Sequence, residues 1–194
     1  MRRCSRYWRC EDFLVEDFNL IISCARGLES EACSEIWFLL GEVGDEDPRV
    51  EKTEVAGLIV AKTSLDPFEA VRRLREMLRR EPHEFRYTLK VVPVEVVVPT
   101  RLSSIEEAAA HLSEKIGADE SFRITIEKRH TEISTRDMIE AIAKHVDRRV
   151  DLEDPDRIVL VEIIGGVTGI SVIRPDDILS VAKEKRLLPR GEKG

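Results

Sequence analysis

Arg123, Lys128, Arg129, His130 and Arg136 carry the chemistry most easily read from this 194-residue chain. Cations that project from a strand end and from the first turn of the next helix hold phosphate oxygens in a fixed register. The unpaired N–H groups of the helix start add partial positive charge. The strand is Ser121 to His130, where Phe122, Ile124 and Ile126 alternate as an apolar face and Arg123 is expected on the opposite, solvent side. Ser134-Thr135-Arg136-Asp137 opens the helix. Arg174, which follows a later strand, is assigned to the same end of the sheet. The competing role for these cations is ion pairing with Glu127, Glu132 and Asp137, which lie close in sequence.

Catalytic signatures are missing from the sequence: there is no Gly-rich phosphate loop, nucleophile elbow or Cys/His zinc pattern. His83 and His111 lack partners at ligand spacing, and His145 flanks the apolar positions Ile142 and Val146. His130 follows two cations, so a phosphate or ribose contact suits it better than general-base work. Cys4, Cys10, Cys24 and Cys33 fall within the first 33 residues without Cys-x-x-Cys spacing. Cys24 in a strand and Cys33 in a helix read as small buried apolar residues. The expectation is a protein with no catalytic residue, metal or cofactor.

A net charge of −7 and a pI near 5.3 argue against a general nucleic-acid coat. A local basic site is compatible with that sum, because salt screens fields beyond about 8–10 Å. The signs are segregated. Acid collects at Glu42 to Asp47, Glu51 and Glu54, and base at Arg2 to Arg9, Arg123 to Arg136, Arg148-Arg149 and Lys183 to Arg186. With 5% aromatic residues, broad base-stacking platforms are not expected. No apolar run reaches the ~20 residues of a membrane span, and Met1 to Val15 lacks the apolar core of a secretory signal. The expected location is the cytoplasm.

The elements that must position the basic set fall into two halves, an α+β organisation. Residues 1–16 read as an arm. Strands at Phe18 to Cys24, Glu54 to Lys62 and Phe85 to Val98 alternate with helices at Leu28 to Leu40, ended by Gly41, and from Asp66 to near Arg80. Asp66 is the N-cap of the second helix and Pro67 its first residue. This β-α-β-α-β order is most of a ferredoxin-like layout, lacking one final strand, and spans residues 17–98. Residues 99–182 read α-β-α-β-β-α. Ser103-Ser104 cap the first helix, and Ile139, Ile142, Ala143 and Val146 form the face of the second. Strands Ile158 to Ile164 and Val167 to Ile173 form a hairpin at Gly165-Gly166, and residues 183–194 form a basic tail.

The stretch from Ile105 to Val172 resembles the THUMP family. The resemblance rests on Phe122-Arg123-Ile124 with Lys128-Arg129, the helix from Ser134, and Val150-Asp151-Leu152 before Asp154-Pro155-Asp156. It continues through Ile158-Val159-Leu160-Val161-Glu162-Ile163 and Gly169-Ile170-Ser171-Val172. It implies a THUMP domain with a small mixed sheet behind a ferredoxin-like domain, and recognition of the tRNA acceptor end. Only a short basic tail follows, so the chain is most similar to the stand-alone members that serve tRNA cytidine N4-acetylation. That implies a non-catalytic adaptor presenting tRNA to a separate modifying enzyme, an acetyltransferase acting in trans. The alternative from a different class is a protein-interaction module without RNA binding, docking a basic partner through the acidic Glu42–Asp47 loop.

Overall fold

The computed structural model describes residues 17–188. The arm 1–16, with Cys4 and Cys10, and the end of the tail at 189–194 lie outside the described residues. The first unit runs β1 (Leu20–Cys24), α1 (Glu29–Glu42), β2 (Arg49–Lys52), β3 (Leu58–Lys62), α2 (Pro67–Arg80) and β4 (Thr88–Pro93). The second runs β5 (Val96–Pro99), α3 (Leu102–Ser113), β6 (Phe122–Arg129), α4 (Thr135–Ala143), β7 (Arg157–Ile164) and β8 (Val167–Ile173). A 3-10 turn at Pro175–Asp177 then leads to β9 (Leu179–Ser180) and α5 (Val181–Leu187).

Strand order is β2-β3-β1-β4-β9 in one sheet and β5-β8-β7-β6 in the other. Each sheet carries helices on its outer face, and the two inner faces meet. Leu20, Ile22, Ile59 and Val91 pack with Ile36, Leu40, Val71 and Leu74 of α1 and α2. Val159, Val161, Ile163 and Ile170 pack with Ile105, Ala109, Met138 and Ile142 of α3 and α4. Between the sheets, Phe18, Ile21, Val60, Val92 and Val94 meet Ile158, Leu160 and Ile173. A Cβ on Gly169 of β8 would lie 3.0 Å from Val94 Cγ1 and 3.2 Å from Phe18 Cε2, so glycine sets how closely the layers approach there.

The structure revises several expectations. β2 is an added strand, inside a charged stretch whose only apolar residue is Val50. Its place comes from pairing with β3, Val50 opposite Ala61, which periodicity cannot reveal. The missing strand therefore lies between α1 and β3, not at the end of the unit. The run Phe85 to Val98 is two strands in different sheets. At the step between them, Val94 N–H reaches the Asn19 carbonyl and Glu95 N–H the Ile170 carbonyl. α1 continues through Gly41, and the left-handed residue that closes it is Gly44, with φ +100°. α3 begins at Leu102 with no side-chain cap, so Ser103 and Ser104 sit inside its first turn. α4 buries Met138, Ala141 and Ile142 and leaves Ile139 exposed, one residue away from the expected face. The Asp66 cap forms as expected, accepting from Phe68 and Glu69 N–H at 3.0 Å.

Sheet membership crosses the sequence boundary at Pro99 twice. β5 lies upstream of that boundary yet pairs with β8, Val96 opposite Ile170. β9 and α5 lie downstream yet return to the first sheet and its helices. Arg75 of α2 staples this return, donating to Glu184 at 3.0 Å and to the Ile178 carbonyl at 3.1 Å. Lys185, read from sequence as tail charge, donates to the Phe85 carbonyl at 2.8 Å. Glu35, buried on α1, accepts the backbone N–H groups of Arg86, Tyr87 and Thr88 at 2.7, 2.9 and 2.8 Å and so fixes the approach to β4. No helix among the described residues is long and apolar enough to cross a membrane.

Candidate nucleic-acid interface

β6 runs parallel to β7, which brings Arg129 opposite Ile164 at the carboxyl ends of both strands. The chain leaves β6 through His130, whose φ of +57° is left-handed and unusual for a residue with a side chain. Four residues later Ser134 caps α4 by accepting the Asp137 N–H. Lys128, His130 and Arg136 are exposed at this corner. Lys128 Nζ donates only a long 3.3 Å bond to the Ile133 carbonyl. Arg136 pairs with Glu140 at 2.7 Å, but its side chain is 84% exposed, and a pair so solvated holds it weakly. A cation in the first turn of α4 faces the positive end of the helix dipole. An anion bound there would neutralise both.

Arg129 behaves differently. Its guanidinium turns inward and donates to Glu162 of β7 at 2.8 Å, where the carboxylate is buried between the sheets. Burial pushes the Glu162 carboxyl above its ordinary value, opposed by Arg129 and then by Lys90 of β4. Arg129 is therefore the counter-ion of a buried acid. The pairing partners weighed for the cluster in sequence were Glu127, Glu132 and Asp137; the residue that engages Arg129 is 33 positions away.

Arg123 and Arg174 occupy the other end of the sheet. Arg123 is level with Ile158, and Ile158 with Ile173, the last residue of β8. The hairpin at Gly165-Gly166 reverses the chain, so β8 returns Arg174 to the start of β6, about 20 Å from Lys128 at the usual rise per residue. The shared end expected for Arg174 and Lys128 is thus corrected. Arg123 does lie opposite the Phe122 face, but it is half-buried. One terminal nitrogen donates to the Leu152 carbonyl at 2.9 Å, while its Nε is enclosed and has no hydrogen-bond partner among the described residues. Nearby, Arg148 donates to the Ile116 and Gly117 carbonyls, and Arg157 pairs with Glu120 at 2.9 Å. Arg157, followed by Gly117 N–H and helped by Arg174, holds the Glu120 carboxyl below its usual range. Arg149 is 72% exposed and only 3.9 Å from Asp151. Arg149 and Arg174 are the accessible cations of this second end. Arg148-Arg149 stood out in sequence as a basic pair, whereas nothing local connected it with Arg174.

The remaining candidates resolve into structural roles. His83 pairs with Glu84, and His145 and Lys144 share Glu106 at the α3–α4 contact. Both Cys24 and Cys33 are buried in the first core, and burial pushes the Cys24 thiol up. Within the acidic loop, Asp45 turns inward to accept Ser64 Oγ at 2.7 Å, leaving Glu42, Glu46 and Asp47 exposed. Among the described residues no group of three or more His, Cys, Asp or Glu could hold a metal ion.

Residues 99–173, from the end of β5 to the end of β8, match the family model described as the THUMP domain. No curated protein matches the chain. Among solved structures, PH1313 from Pyrococcus horikoshii OT3 superposes with a TM-score of 0.62 at 18% identity, over 81% of this chain and 55% of that one. TrmN from Thermus thermophilus gives 0.50 at 16% identity, over 80% and 46%. A possible methylase from Clostridium difficile 630 gives 0.50 at 20%, over 80% and 40%. The chain spans about half the length of these structures, and the likeness is one of fold.

Proposed function

We propose that this chain is a tRNA-binding adaptor, active in the cytoplasm, that holds tRNA by its acceptor end for an enzyme acting in trans. The observation that carries the reading is the exposed corner formed by Lys128, His130 and Arg136 inside the matched THUMP domain. Phosphate contacts from such a corner position RNA without reading its sequence. The first unit fits a ferredoxin-like assignment, because its β-α-β-β-α-β succession and β2-β3-β1-β4 order are those of a split βαβ layout. The partner enzyme proposed is a tRNA cytidine N4-acetyltransferase, by the resemblance to stand-alone family members.

The structure changes which residues test the reading. Arg129 is a poor probe, since its loss strands a buried carboxylate and confounds binding with stability. Lys128→Glu combined with Arg136→Glu removes two accessible cations and no core contact. Binding of unmodified tRNA, followed at several salt concentrations, should weaken, and the salt slope should fall by about one per lost phosphate contact. Unchanged affinity and slope would remove this corner from the RNA surface.

A further inference from the structure

Among the described residues the outer edge of β6 is open. Phe122 donates its N–H to the Arg149 carbonyl at 2.8 Å and accepts the Asp151 N–H at 3.0 Å, so its backbone groups point away from β7. That direction alternates residue by residue along a strand. Ile124, Ile126 and Lys128 therefore present N–H and C=O outward too, while Arg123, Thr125, Glu127 and Arg129 bond to β7. Among the described residues β6 pairs with β7 and, at Phe122 alone, with Val150. The opening from 124 to 128 is about 13 Å long. An open edge of this length is a ready template for another strand.

Its surroundings define the occupant. The edge carries a cation on each face of the sheet, half-buried Arg123 on one and exposed Lys128 on the other, whose side-chain hydrogen bonds go to the Leu152 and Ile133 carbonyls rather than to carboxylates. Beside the Arg123 end, Val150 and Leu152 are 60% and 69% exposed and form an apolar step continuous with the segment that already pairs with Phe122. We propose that this edge takes an extended acidic segment of a second protein as an added strand. Its carboxylates would meet Arg123 and Lys128, and an apolar residue would seat against Val150 and Leu152. A second copy of this chain fits poorly. An antiparallel self-pairing that clears the Arg149–Asp151 segment sets Arg123 opposite Arg129, and like charges directly opposed destabilise a strand pair. The proposal does not depend on RNA binding.

The test uses a capped heptapeptide with Glu at its first and sixth positions, so that one carboxylate lies on each face of the added strand, and Val or Thr elsewhere as probe, with the same peptide carrying Lys at those two positions as control. Amide hydrogen exchange on the full chain should show Ile124, Ile126 and Lys128 becoming protected by the acidic peptide and not by the basic one. Ile126→Pro deletes one outward N–H, keeps the ladder to β7 and removes no cation, so peptide affinity should fall about tenfold or more with tRNA affinity unchanged. If Ile126→Pro does not fold, Ile126→Ala with Lys128→Glu supplies the comparison, and acidic-peptide affinity should again drop. Any of three results overturns the proposal: no protection at these amides, equal binding of both peptides, or protection of the same amides by concentration-dependent self-association.

Discussion

Arg129 and Glu162 form an ion pair at 2.8 Å that joins the end of β6 to the layer between the two sheets. Glu162 is 3% exposed, faces the first sheet and lies close enough to Lys90 of β4 to feel its charge. The corner proposed to bind RNA is thus braced from beneath by a buried acid. Arg129 serves placement of the neighbouring Lys128 and His130.

Arg129→Met should therefore cost about 3 kcal/mol in urea unfolding, because it leaves a buried carboxylate without its partner. Its effect on tRNA affinity, measured under conditions where the variant is folded, should be smaller than that of the Lys128 and Arg136 reversals. A larger affinity loss with little stability change would assign Arg129 to the RNA directly.

The same pair makes a pH signature. Glu162 has a folded value raised above its ordinary 4.5. Its stabilising contribution is present below that ordinary value and is lost as pH rises through the raised one. Glu69, drawn down from 4.5 to about 2 by Arg72 and then Arg73, has the opposite sign: its contribution is lost as pH falls through that range. Thermal melts against pH should show a falling component above pH 4.5 that Glu162→Gln abolishes. The Glu69 limb at lower pH should persist in that variant.

Glu35→Gln should lower stability by about 2–3 kcal/mol. One carboxylate accepts three backbone N–H groups, and an amide offers a single oxygen while setting its own N–H groups against the others. Urea midpoints check the magnitude. Amide exchange at Arg86 to Thr88 should accelerate locally, since those donors lose their acceptor.

His130→Gly should raise stability by about 0.5–1 kcal/mol, because glycine adopts the observed φ of +57° without a Cβ penalty. Calorimetry gives the sign. A simultaneous loss of tRNA affinity would show that the imidazole was kept for contact with ligand at the expense of stability.

Much of the architecture was legible in the chain. Asp66-Pro67 sets the start of α2, the spacing of Val71, Leu74, Met77 and Leu78 sets its buried face, and Gly165-Gly166 sets the hairpin between β7 and β8. These signals are local: a cap, a helical period and a turn each act within a few residues. β2 was not legible, since a strand with one apolar residue exists only because β3 offers a ladder. Nor was the change of sheet at Val94-Glu95, where a strand-like run interrupted only by Pro93 and Glu95 passes from one sheet to the other because backbone partners wait on both sides.

For the interface, residue types and spacing alone determined that cations gather at the end of β6 and the start of α4. Only the tertiary structure decided which of them are available. It tied Arg129 to Glu162, carried Arg174 to the far end of the sheet, half-buried Arg123, and left Lys128, His130 and Arg136 at the surface. The reason is physical. Charge is a property of a residue, but its exposure and partners depend on strand direction and on groups tens of positions away, brought near by packing of the two sheets.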